Sequence, residues 1–123
     1  MPGGVAVPKQ RPAALDRRKK KQDALAHYFE ERKKALQRDG GRCRVCGKRG
    51  SQTHHIVARS LGGADESWNL ATVCVNKLDG GCHRLIHDTV VKMRGNADVP
   101  GGLAIERWSD NAGTWVPLTQ EQR

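Results

Sequence analysis

Aromatic side chains are scarce in this sequence. They make up 4% of its 123 residues, and hydrophobic residues make up only 37%. The length allows one compact domain, and burial of so few apolar side chains offsets little of the entropy lost when the chain orders. We therefore expect a second source of stability. The four cysteines can supply it, as a metal site or as two disulfides.

Long apolar runs are also missing. No stretch approaches the ~20 apolar residues that span a bilayer, and residues 1–22 contain no apolar run long enough for the core of a secretory signal. We therefore expect a cytoplasmic protein that makes no use of a membrane. Disulfides are disfavoured in that compartment, so clustered cysteines there more often hold zinc.

Positive charge, by contrast, is abundant. Lys and Arg number 22 against 13 Asp and Glu, which gives a net charge of +9 and a pI near 9.9. Polyphosphate is the natural partner of such a surface, and its binding should weaken steeply with salt. The other interpretation is a soluble basic protein without a nucleic-acid partner, and charge alone does not separate the two.

Most of this charge lies in the first third of the chain. Residues 1–42 carry twelve basic and five acidic residues, a net +7 of the total +9. Three prolines and two glycines predict a disordered lead-in at residues 1–12, and the composition of residues 13–42 predicts a basic helix from Ala13 to Arg38 that Gly40 and Gly41 stop. This helix could lie along a phosphate backbone, dock on a partner, or present a solvated face.

The rest of the chain is predicted to form short strands and one short helix, joined by loops. We predict a central domain at residues 43–94 and a C-terminal loop with a hairpin at residues 95–123. Within them the patterns predict strands at Thr53–Val57 and Leu70–Val75, a helix from Cys82 to about Met93, and a hairpin of Leu103–Trp108 with Thr114–Pro117 across which Trp108 and Trp115 pair.

The cysteines have the spacing of a zinc site. Cys43 and Cys46 form a C-x-x-C turn that can direct two thiolates at one tetrahedral zinc. Cys74 and Cys82 can complete a four-cysteine site, although seven residues separate them; the segment Asp79-Gly80-Gly81 could let the chain fold back. A redox C-x-x-C should begin a helix in a βαβ setting, which is not seen here. We therefore expect one structural zinc.

Four of the five histidines fall into two pairs. His83 and His87 are four residues apart, so on a helix they share a face. His54 and His55 are adjacent on a predicted strand, so their side chains point to opposite faces. This placement favours a division of labour in which one of the pair binds a metal and the other acts as a base. Phosphodiester hydrolysis needs both roles.

The stretches T-H-H-I-V-A-R-S-L-G-G, W-N-L-A-T-V-C and C-H-R-L-I-H, together with C-x-x-C, resemble the HNH endonuclease family over residues 43–87. The resemblance implies a small α+β fold: a ββα-metal (His-Me finger) core with a four-cysteine zinc knuckle, preceded here by the N-terminal basic helix. It also implies DNA cleavage that leaves 5′-phosphate and 3′-hydroxyl ends.

Site roles follow from the same resemblance. It implies that His54 and His83 bind one catalytic divalent cation, which stabilises the leaving 3′ oxygen, and that His55 is the general base. His87 resembles a second helix ligand found in colicin-type DNases, and Asn69 resembles the central Asn that shapes the base-bearing segment. Three imidazoles suit Mn, Ni, Co or Zn, whereas a site of His54 and His83 alone would accept Mg more readily.

Two positions depart from the family pattern. The last two cysteines usually have two or three residues between them, and a proline usually stands where Ala58 lies. Arg59 is placed where a cation could contact the scissile phosphate, although a solvated loop arginine fits equally well. His27 is interpreted as an ordinary helix residue, and Trp68 is expected to pack beneath the site.

Two other functions remain open from the sequence. The first is a catalytically silent zinc module that only binds nucleic acid, which explains the cysteines and charge but not the order of histidines and Asn69. The second is an assembly factor for a larger nuclease, docked through the basic helix. The resemblance extends to small stand-alone bacteriophage proteins that assist a terminase in DNA packaging, which would place the chain in a bacterial host. It also extends to restriction-type and homing-type enzymes.

Overall fold

The computed structural model describes residues 13–76 and 79–118. The predicted disordered lead-in at residues 1–12 lies outside this range. Two helices and five strands follow one another along the described chain. Their bounds are α1 Ala13–Arg38, β1 Gln52–His55, β2 Leu70–Val73, α2 Gly81–His87, β3 Val91–Gly95, β4 Leu103–Ser109 and β5 Thr114–Pro117. Short 3-10 helices at Arg59–Leu61 and Ser67–Asn69 lie in the connection between β1 and β2. The small α+β class expected from the sequence is confirmed.

The strands form two separate antiparallel sheets. β1 and β2 make a two-stranded sheet in which His54 lies opposite Ala71 and His55 opposite Leu70. β3, β4 and β5 make a three-stranded sheet in that order. The predicted hairpin of β4 and β5 is confirmed, with Trp108 opposite Trp115 and their rings 5.7 Å apart edge to face. β1, β2 and α2 together have the order of a ββα unit.

The predicted helix from Cys82 to about Met93 is wrong beyond His87. α2 ends there, and Thr89 takes a left-handed conformation with φ 61° that turns the chain. Thr89, Val90 and Val91 are β-branched, and such side chains lose rotamer freedom in a helix but pack well in a sheet. The segment therefore continues as β3, which pairs with β4 from Val91 to Gly95.

The core is small and includes two of the four cysteines. All four residues of β2 are buried, and the core cluster combines residues of the cysteine turn, β2, α2 and the three-stranded sheet: Cys43, Val45, Ala71, Val73, Cys82, Val91, Met93 and Ile105. Two of these eight residues are cysteines. The core and the cysteine site are thus one structural unit.

A buried carboxylate fastens α1 to this unit. Asp39, which directly follows α1, accepts hydrogen bonds from Arg38 and Arg44 at 2.8–2.9 Å and from the backbone N–H of Thr72 on β2 at 3.1 Å. Burial disfavours the ionised form of Asp39, but these hydrogen bonds outweigh burial and lower its pKa. Glu31 adds a second attachment by accepting from the backbone N–H of Ser67 at 3.1 Å.

The sequence of α1 has large apolar residues at helical spacing, among them Leu25, Phe29 and Leu36, but this stripe does not coincide with the packed face of the helix. The buried residues of the helix are Glu31 and Ala35, whereas Leu25 and Phe29 are 52% and 55% exposed. Polar contacts hold most of the packed face, so the spacing of apolar residues in the sequence does not identify it. The division into segments at residues 12, 42 and 94 stays a prediction.

Candidate active site and cysteine cluster

The four cysteines converge as predicted. Their sulfur atoms all lie within 4.8 Å of one another, and Cys46 Sγ is 3.6 Å from Cys74 Sγ. A tetrahedral zinc with Zn–S bonds of about 2.3 Å would place its sulfurs about 3.8 Å apart. All four are free thiols rather than disulfides. The cluster therefore has the donor atoms and spacing to hold a zinc ion.

Backbone N–H groups surround two of the sulfurs. Cys43 Sγ accepts from the N–H of Val45 at 3.4 Å and of Cys46 at 3.5 Å, and Cys74 Sγ accepts from the N–H of Cys82 at 3.3 Å. Burial opposes ionisation of Cys43, yet these donors lower its pKa; burial and the charge of Cys43 raise the pKa of Cys82. All four sulfurs could be thiolates at this spacing only with a cation between them.

The wide gap between Cys74 and Cys82 closes through two glycines, as the sequence suggested. Gly80 and Gly81 have φ values of 81° and 61°, and a Cβ on Gly81 would lie 2.8 Å from the carbonyl oxygen of Cys74. Only glycine takes this turn without strain or collision. The first turn of α2 is thereby brought against the end of β2, where the N–H of His83 donates to the carbonyl of Cys74 at 3.1 Å.

His54 and His55 lie on opposite faces of β1. The His54 ring faces α2 and lies edge to face with the ring of His83, with 6.4 Å between centroids. The His55 ring faces α1 and stacks on Tyr28, with 5.9 Å between centroids and 13° between planes. Strand geometry thus separates the pair into two environments.

The environment of His54 favours a neutral ring. Burial lowers its pKa, and the neighbouring His83, His55 and His87 lower it further. A neutral imidazole is the form that binds metals. His83 and His87 are exposed on α2, so the arrangement has imidazole donors facing an open side. In the described part of the chain, however, the cysteines are the only group of three or more metal-binding side chains that lie close enough together to hold one ion.

The other face of β1 holds a hydrogen-bonded cluster around Asp65. Asp65 Oδ1 lies 2.7 Å from His55 Nε2 and accepts from Arg59 Nε at 2.9 Å. The guanidinium of Arg59 lies over the ring of Tyr28, 4.7 Å from its centroid. Burial opposes ionisation of Asp65, but the hydrogen bonds from His55 and Arg59 lower its pKa. Asp65 is therefore a carboxylate at neutral pH.

Asn69 holds the chain that follows β1. It is fully buried, its Oδ1 accepts from the N–H of Val57 at 2.8 Å, and its Nδ2 donates to the carbonyls of Val57 and Ala64 at 3.0 and 2.9 Å. Gly63 allows the same tight loop, since a Cβ there would meet the carbonyl oxygen of Val57 at 1.7 Å. These contacts fix the loop between His55 and Asp65.

Sequence reasoning missed Tyr28 and Asp65. Neither residue was predicted to belong to the site, because contacts between side chains that are distant in the sequence leave no periodic pattern. Trp68, expected beneath the site, is 37% exposed. His27 lies on α1, where its Nε2 is 3.1 Å from Glu66 Oε1.

Comparison with known protein families gives one match. The HNH endonuclease family model matches residues 43–89, a segment that holds all four cysteines and His54, His55, Asn69, His83 and His87. The match leaves α1, β3, β4 and β5 outside. No curated protein and no solved structure matches the chain. Among the described residues, no helix is both long and apolar enough to cross a membrane.

Proposed function

We propose that this protein is a metal-dependent endonuclease that hydrolyses phosphodiester bonds of DNA. The observation that carries the proposal is the separation of His54 and His55 by β1. One imidazole faces the histidines of α2 and the other faces a carboxylate. Hydrolysis of a phosphodiester requires a proton acceptor and a group that stabilises phosphate charge, and these two environments suit the two tasks.

His55 is the general base in this mechanism. An ionised carboxylate can only accept hydrogen bonds, so the His55 nitrogen facing Asp65, Nε2, carries the ring proton. The lone pair is then on Nδ1, which takes a proton from the attacking water. Asp65 and Tyr28 act as positioning residues, since one fixes the tautomer and the other stacks against the ring. Asn69 positions His55 through the loop it holds.

A divalent cation would be held by His54 and His83, with His87 as a third ligand. The fit rests on the neutral, part-buried ring of His54 and on its approach to the His83 ring. When bound, such an ion supplies positive charge to the phosphate and to the departing 3′ oxygen. Arg59 is the candidate side chain for a further phosphate contact, because Asp65 and Tyr28 already hold its guanidinium beside His55.

Plasmid nicking tests the proposal. The protein is dialysed against a weak chelator that removes an ion held by the histidines and leaves the zinc held by the cysteines. Mg, Mn, Ni, Co or Zn is then added, and nicking is compared between the wild type, His55→Ala and the control His27→Ala. We expect one or more of these ions to restore nicking to the wild type and to His27→Ala. His55→Ala should be slower by roughly 10²–10⁴-fold, the usual contribution of a general base. Equal nicking by His55→Ala would refute the assignment of the base.

The alternative is a non-catalytic zinc module that binds nucleic acid or assists assembly. One observation favours it: the cysteines, and not the histidines, are gathered as tightly as a bound ion requires. Under this alternative no cation yields nicking although the protein folds with zinc and binds DNA. Assistance to a terminase or another larger nuclease, with α1 as the docking element, and a cytoplasmic location both stay predictions.

A further inference from the structure

The N-terminal half of α1 extends past the body of the protein. Glu31 and Ala35 are the buried residues of the helix, whereas every side chain described from Ala13 to His27 is exposed. At 1.5 Å per residue this overhanging half is about 20 Å long. A helix without an apolar packing face is marginal in water by itself. The packing of the C-terminal half, around Glu31 and Ala35, therefore stabilises the exposed N-terminal half.

One face of the overhanging half looks towards the candidate active site. Lys21 and Ala24 precede Tyr28 by seven and four residues, so all three share one face of the helix. Together with Leu25, Arg59 and Asp65 they line a crevice of about 340 Å³ between α1 and the loop that follows β1. Two of these lining residues, Tyr28 and Asp65, also contact His55.

The charge of the crevice is suited to an anion. Lys21 lies on its helix wall and Arg59 on its loop wall, while its one carboxylate, Asp65, already accepts from both Arg59 and His55. The helix from residue 13 to residue 27 carries five basic and two acidic side chains, a net +3. Arg17, one helical turn before Lys21, extends the same face outward.

We propose that this crevice binds the phosphodiester backbone of the nucleic-acid strand next to the bond that is cut, with Lys21 and Arg17 as phosphate contacts. This inference rests on the proposed nuclease function. The crevice adjoins His55 through Tyr28 and Asp65, so a strand that enters it continues towards the reacting histidines. The contacts are to phosphates, which position a strand without reading its sequence.

A matched pair of charge reversals on one helix tests the proposal. Lys21 faces the crevice, whereas Lys19 is two residues away on the other side of α1 and pairs with Asp23 at 3.7 Å. Lys21→Glu and Lys19→Glu change the net charge equally, and both side chains are exposed, so folding is preserved. Each variant is made in the His55→Ala background and titrated onto fluorescein-labelled duplexes of two unrelated sequences at several salt concentrations.

We expect Lys21→Glu to weaken binding roughly tenfold at low salt and to reduce the slope of log affinity against log salt by about one, equally for both duplexes. Lys19→Glu should change affinity less than about twofold, because it touches no phosphate in this arrangement. Equal losses in both variants would show that only the total charge matters, and no loss in Lys21→Glu would show that the crevice is not used; either result overturns the proposal.

The design also separates this proposal from the nuclease proposal. If the wild type nicks DNA while Lys21→Glu and Lys19→Glu bind alike, the crevice assignment is wrong and the nuclease remains. If no cation supports nicking while binding still depends on Lys21 and not on Lys19, the crevice assignment is supported and the nuclease is wrong. An acidic protein as the true occupant would leave DNA affinity insensitive to Lys21, which overturns the proposal as well.

Discussion

The cysteine cluster and the histidine cluster differ in how far the fold assembles them. The four sulfurs lie within 4.8 Å of one another, beside a core that two of the cysteines help to form. The rings of His54 and His83 are 6.4 Å apart between centroids, and His83 and His87 are exposed. Structural zinc sites are closed by protein ligands, whereas catalytic sites keep a position open. The cysteine cluster has the geometry of a closed structural site, and the histidine cluster has that of an open site.

Loss of the cysteine site should have the largest effect. Cys82→Ser, or prolonged treatment with a strong chelator, removes a metal whose binding contributes about 10–16 kcal/mol in zinc-finger peptides, as much as the whole stability of a typical domain. We expect no cooperative thermal unfolding transition in the variant. His83→Ala is the matched control on the same helix and should keep the transition of the wild type. A cooperative transition in Cys82→Ser, measured by circular dichroism, would contradict a structural role.

Replacement of Asn69 should have a smaller but clear effect on the histidine side. Asn69→Ala leaves the N–H and carbonyl of Val57 and the carbonyl of Ala64 without their partner, at no more than about 1–3 kcal/mol for each of these part-buried groups. Asn69→Asp keeps the acceptor but sets a buried carboxylate oxygen against the carbonyls of Val57 and Ala64, so its loss of stability should be at least as large. Urea unfolding measures both. A loss below the error of the method in Asn69→Ala would show that the loop is held by other contacts.

Acid should weaken the attachment of α1 through Asp39. The pKa of Asp39 is lowered in the folded state, so its contribution is present above the unfolded value of 3.8 and is lost as the pH falls towards the lower folded value. The free energies of unfolding of the wild type and of Asp39→Asn are measured at neutral pH and then at a series of pH values below the pKa of Asp39 in the unfolded chain. The two free energies should converge as the pH falls. Parallel curves for the two proteins across this range would show that Asp39 does not titrate in this way.

The sequence predicted those parts of the fold that depend on local spacing. The bounds of α1, the hairpin of β4 and β5, and the opposite faces of His54 and His55 follow from helix, turn and strand periods. The convergence of the four cysteines was predicted from their chemistry as zinc ligands. The helix from Cys82 was extended too far because Val90, Val91 and Met93 are apolar at spacings that suit a helix or a strand. Residues Val91–Gly95 form a strand because they pair with β4, which lies further along the chain.

The contacts of His55 could not be predicted in this way. Tyr28 lies 27 residues before His55 and Asp65 ten residues after it, and neither distance follows a secondary-structure period. The position of Tyr28 depends on how α1 is attached through Glu31 and through Asp39, the residue that follows the helix. The position of Asp65 depends on the loop that Asn69 holds. Local pattern therefore indicates which residue types the site uses, and tertiary packing determines which of them position the base.

The most direct test of two metal sites with two tasks is a staged removal of metal. Brief dialysis against a weak chelator should remove the ion held by the histidines and leave one zinc per chain, measured by elemental analysis. We expect the thermal transition to be unchanged after this step, nicking to be lost, and nicking to return when a divalent ion is added. Nicking that persists without any added ion, or that disappears only in step with the zinc, would contradict the account.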